Sequence, residues 1–82
     1  MKSITLIKYT RHSKRRLKLY NISESEVELI IKFGTKVEVE GNKYESIYHF
    51  DDKILPLKVV YKVIGNDYII LTSYPLKRGI EK

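Results

Sequence analysis

Past Gly34, from Lys36 onward, the hydrophobic pattern changes from a helical period to a period of two, and that change constrains the fold more than any other feature of the chain. Ahead of it, Ile22-Ser23-Glu24-Ser25-Glu26-Val27 is a helix start signal. Ser23 and Glu26 have capping-box spacing, and Ile22 with Val27 has the spacing of a hydrophobic staple. Glu24, Glu26 and Glu28 set negative charge at the positive end of the helix dipole. A helix over about 23–33 follows, with Val27, Ile30 and Ile31 buried, Leu29 and Phe33 broadening that face, and Gly34 ending it. Beyond Gly34 the period is two. Strands are expected at about 36–40 and 43–50 around Gly41-Asn42, and at about 57–64 and 67–74 around Gly65-Asn66. The second turn, taken literally, pairs Val63 with Tyr68, Tyr61 with Ile70, Val59 with Thr72 and Leu57 with Tyr74.

An earlier helix is expected over about 11–20, with Thr10 as N-cap and Asn21 as breaker. Tyr9, Ser13, Leu17 and Tyr20 fall in one stripe that would face the core. Arg11, Lys14 and Lys18 point the other way, while His12 and Arg16 sit on the stripe's edge. Residues 2–8 alternate loosely and read as a short first strand or an apolar arm. The expected architecture is α+β, two N-terminal helices packed on a four-stranded antiparallel meander sheet, in one domain spanning residues 1–82.

With 82 residues the core is modest. No apolar run reaches a membrane span, and the amino-terminal apolar stretch is too short for a signal peptide. A cytoplasmic location without membrane association is therefore expected. The absence of cysteine rules out disulfides, thiolate catalysis and thiolate-bound zinc. Two histidines far apart, neither beside an acidic cluster, argue against a metal site, and no cofactor signature is present. A net charge of +6 favours an anionic partner, and nucleic acid is the commonest for a small basic domain.

The positive charge is concentrated. Six of the sixteen Lys and Arg residues lie between Lys8 and Lys18, together with His12. Metal-free RNA cleavage needs a base near neutral pKa for the 2′-hydroxyl proton and cations for the phosphate. His12 one turn from Arg16, with Arg15 adjacent, supplies both. A solvated helix face on which His12 bonds only a carbonyl is the plainer alternative. Seven tyrosines could stack bases or serve as cross-strand packing. Tyr74, at a strand end, is favoured for function. His49 is expected to have no role, and Thr72 and Ser73 lack a histidine or acid at nucleophile spacing.

Tyr9-Thr10-Arg11-His12, Arg16-Leu17, Ile22-Ser23 with Val27, Val59-Val60-Tyr61 and Ile70-Leu71-Thr72-Ser73-Tyr74-Pro75 stand in an order that resembles the domain-of-unknown-function family 4258. The likeness runs over roughly residues 9–75. It implies a distant relationship to RelE-like and BrnT-like ribonuclease toxins, and hence a RelE/BrnT-like fold. His12, Arg16, Thr72 and Tyr74 then carry over as candidate site residues. Family members often have a further Arg before the second helix, where this chain has Leu19-Tyr20-Asn21. Arg15 or Lys18 would have to substitute for it.

Together these readings give an RNA-binding protein, a candidate metal-independent endoribonuclease of toxin type with an antitoxin protein as partner. His12, Arg16 and Tyr74 are the catalytic candidates. Arg11, Lys14, Arg15, Lys18, Thr72, Lys77 and Arg78 are the candidates for nucleic-acid binding. The competing reading is a non-catalytic nucleic-acid- or protein-binding regulatory module.

Overall fold

The computed structural model describes residues 6–76. The elements run β1 (Ile7–Tyr9), α1 (Arg11–Tyr20), α2 (Glu24–Phe33), β2 (Thr35–Glu40), β3 (Lys43–Tyr48), β4 (Leu57–Ile64) and β5 (Asp67–Pro75). Lys77 and Arg78 lie outside the described residues.

Local chemistry sets the helix ends. Thr10 caps α1, its hydroxyl accepting from the Ser13 amide at 3.0 Å. The same hydroxyl donates to the Ile70 carbonyl at 3.1 Å, so the cap also ties α1 to β5. Asn21 takes the left-handed conformation (φ 56°), and the Ile22 amide reaches back to the Leu17 carbonyl at 2.8 Å. That reversal folds Ile22 onto Leu17 in the core. Ile22 thereby takes the place expected of Tyr20, which is exposed. On α2 both bonds of the capping box form, Glu26 amide to Ser23 hydroxyl at 3.1 Å and Ser23 amide to Glu26 carboxylate at 3.0 Å.

Gly34 ends α2 in extended rather than left-handed backbone. Its glycine is needed for a close approach: a Cβ would lie 2.5 Å from the Ile30 carbonyl oxygen and 2.7 Å from that of Ile47. Leu29 and Phe33 do not broaden the buried face. They are exposed, because α2 meets β3 and β4 only through the arc of Val27, Ile30 and Ile31.

Among the described residues the sheet has five strands in the order β1-β5-β4-β3-β2, not four. β2 to β5 form the expected antiparallel meander, and β1 adds a short parallel strand beside β5, making the sheet mixed. β3 ends at Tyr48, two residues early. Val63–Tyr68 and Tyr61–Ile70 pair as expected, but beyond them Leu71 is an extra residue. Val59 therefore faces Ser73, and Val60 and Lys58 face Thr72 and Tyr74. A bulge exchanges the two faces of a strand, since side chains alternate.

The core lies between the helices and one sheet face. It holds Leu17, Ile22, Val27, Ile30, Leu57, Val59, Tyr61 and Ile70. Tyr61, fully buried, stacks on Tyr44 at 5.8 Å and on Tyr68 at 5.3 Å, a cross-strand ladder of three rings. These tyrosines are packing residues.

Candidate functional site

α1 begins where β1 leaves β5, at Ile70, and packs along the rest of that strand. Ser13 and Ser73, both fully buried and small, lie on these two elements. The polar face of α1 thus stays open, with two distinct arrangements on it.

The first is the pair His12 and Arg16. Arg16 Nε donates to His12 Nε2 at 3.2 Å across one turn, with His12 exposed and Arg16 half-buried. With Nε2 accepting that bond, the imidazole proton sits on Nδ1. The ring nitrogen that could serve as a base is thereby held by the group that could bind phosphate.

The second is a groove between α1 and the start of α2. Arg11, Lys14, Arg15 and Lys18 line it, over Leu17 and Ile22, with Ser23 and Glu24 on the far wall. Arg11, Lys14 and Lys18 point away from the core as expected, yet they rim a concave surface rather than a plain one. The ion pairs among the described residues, Lys8–Asp67, Lys53–Glu26 and Lys58–Glu45, use none of the four. His12 and Arg16 do not line this groove.

Thr72 and Tyr74 are elsewhere. The Leu71 bulge turns them to the face of Lys58 and Val60, away from the helix-covered core, and directs Ser73 inward instead. Among the described residues, no hydrogen bond joins either of them to His12 or Arg16. Sequence spacing did not bring out Lys58 as a candidate, because its role depends on cross-strand neighbours. Its ammonium lies 5.7 Å from the Tyr74 ring centroid and 3.1 Å from the Glu45 carboxylate. Partial burial works against that charge, but the hydrogen bond to Glu45 and the Tyr74 phenol outweigh it and raise the Lys58 pKa. A Lys that stays cationic beside a half-buried Tyr can hold a phosphate next to a stacked base.

The remaining candidates are structural. His49 Nε2 bonds the Lys53 carbonyl at 2.9 Å and pins the β3–β4 connection. Tyr9 has its hydroxyl buried without a partner, and burial, then Glu24 and Glu28, push its pKa up to about 12. The Ser73 hydroxyl is likewise buried without a partner, so it is no accessible nucleophile. Among the described residues, no three His, Asp or Glu side chains are grouped to hold a metal. Nor is any described helix long and apolar enough to cross a membrane.

No protein-family model matches the sequence, and no curated protein matches it. In structure, the chain is similar to the crystal structure of the Brucella abortus ribonuclease toxin BrnT. The superposition has a TM-score of 0.66 and 9% sequence identity, covering 93% of this chain and 100% of that one. At that identity the likeness is one of fold, and it is BrnT-like: two helices with a mixed five-stranded sheet.

Proposed function

We propose that the protein binds RNA through α1 and cleaves it without a metal, as an endoribonuclease of toxin type. The observation that carries this is the Arg16–His12 hydrogen bond, exposed within the most basic segment of a chain whose fold is shared with a ribonuclease toxin. A phosphate arriving at Arg16 competes for its Nε proton and releases His12 Nε2. That nitrogen then accepts the 2′-hydroxyl proton, O2′ attacks the adjacent phosphorus, and the P–O5′ bond breaks. Arg16 and Arg15 neutralise the charge developing on the phosphoryl oxygens. The departing 5′-oxygen takes its proton from solvent, leaving a 2′,3′-cyclic phosphate and a 5′-hydroxyl. Arg11, Lys14 and Lys18 attract the backbone, and Thr72 and Tyr74, with Lys58, contact the RNA farther along on the sheet face. On this reading the protein works in the cytoplasm, and an antitoxin protein holds it inactive.

The test is labelled RNA incubated with the protein in excess chelator. Fragments ending in 2′,3′-cyclic phosphate are expected, with His12→Ala slower by about 100-fold or more. Cleavage by His12→Ala at the wild-type rate would sink the catalytic assignment.

The groove supports a second reading, a non-catalytic nucleic-acid-binding module, since four cations without ion-pair partners among the described residues line it and His12 does not. In that case RNA is bound but not cut. The affinity falls with salt at a log–log slope of about −3 for four phosphate contacts on a single strand. Alanine at Arg11, Lys14, Arg15 or Lys18 then weakens binding more than alanine at Arg16, which does not line the groove.

A further inference from the structure

We propose that a second copy of this chain pairs with β2, joining two sheets edge to edge about a two-fold axis. The two edges of the sheet are treated differently. At one, β1 pairs over three residues and α1 packs along the rest of β5. At the other, all six residues of β2 are exposed, and among the described residues no element covers the outer side. The strand alternates, has Val at two positions and contains neither Pro nor Gly. An uncovered edge of that kind is a template for another strand.

The charges on β2 decide which strand. Antiparallel pairing centred on Val37 sets Lys36 opposite Glu38 of the second copy and, by symmetry, Glu38 opposite its Lys36. Val37 then meets its own counterpart. Shifting the centre to Glu38 would oppose Glu38 with itself, so the pattern selects one register. Residues that would ward off a foreign strand thus become complementary to a copy of their own.

The flank of α2 adds apolar surface. Leu29 and Phe33, one turn apart on α2, are both exposed. Phe33 is 62% exposed and Val37 49%. The irregularity at Val39 limits the regular ladder to a few residues, which makes association reversible and dependent on concentration.

The test is sedimentation equilibrium of the full chain from about 10 μM to about 1 mM, the range of weak association. The expected result is a shift from 9.7 kDa toward twice that mass. Lys36→Glu or Glu38→Lys makes both cross-pairs like-charged and should weaken the dimer about tenfold or more. The double variant K36E/E38K restores the pairing and should return to within about threefold of wild type. Thermal unfolding confirms that the variants are folded. A chain that stays monomeric throughout, a dimer indifferent to the single changes, or a folded double variant without recovery would each overturn the proposal.

Discussion

Replacing Gly34 with alanine sets two physical arguments against each other. The backbone there, φ −76° and ψ 170°, is open to any residue. On chain entropy alone, Gly34→Ala would therefore raise stability by about 0.4–1 kcal/mol. The contacts predict the opposite. The new Cβ would sit 2.5 Å from the Ile30 carbonyl oxygen and 2.7 Å from that of Ile47, where ordinary contact begins near 3.4 Å. Both obstacles are backbone, one in the last turn of α2 and one in β3, so neither can swing aside. Separating them means prising the helix off the sheet, and overpacking of this kind costs about 1–3 kcal/mol. Net of the entropy gain, the loss should be about 1–2 kcal/mol, a fall in Tm of roughly 5–15 °C for a chain of this size. Urea and thermal denaturation followed by circular dichroism would measure it. Gly65→Ala is the control: nothing lies within 4 Å of its Cβ, and its φ of +61° makes any loss conformational. Gly65→Asn should recover most of that loss, because asparagine tolerates the left-handed region, whereas Gly34→Asn should recover nothing. A Gly34→Ala protein as stable as wild type would refute the close-approach account.

Tyr9→Phe removes a buried hydroxyl without a hydrogen-bond partner, so stability should be unchanged or rise by up to about 1 kcal/mol. The folded hydroxyl titrates at about 12 against an ordinary 10.0, so the unfolded chain releases its proton first. Its contribution is full below pH 10 and is lost as pH rises toward about 12. Urea melts across that range should show Tyr9→Phe losing less stability than wild type. Asn21→Ala should cost about 1–2 kcal/mol, since Asn21 sits at φ 56°, while Asn21→Gly should stay within a few tenths; midpoints in urea decide. Thr10→Ala loses both the α1 cap and the hydroxyl bond to Ile70, and should cost about 2 kcal/mol. Thr10→Ser should keep most of that stability in the same melts.

Thr10 also shows what short motifs can hide. In the Thr-x-His run the histidine draws attention as chemistry, yet the threonine before it fastens α1 to β5 through two bonds from one hydroxyl. The cap was legible because its bond spans three residues; the tie to Ile70 was not, because it spans sixty. The same divide separates the candidate residues. The His12–Arg16 contact follows from helical spacing and is present. The gathering of Arg11, Lys14, Arg15 and Lys18 around one groove required knowing where α2 begins in space.

The sequence by itself determined the punctuation of this protein. Helix starts at Thr10 and Ser23, the reversal at Asn21, and the two hairpin turns all rest on bonds within a few residues, and each formed as its local chemistry required. Tertiary structure alone decided the β1–β5 pairing, the exposure of Leu29 and Phe33, and the extra residue at Leu71. That last choice matters most for the proposed site. The bulge at Leu71 leaves no mark in residue type, and that one extra residue turned Thr72 and Tyr74 to the sheet face opposite the core.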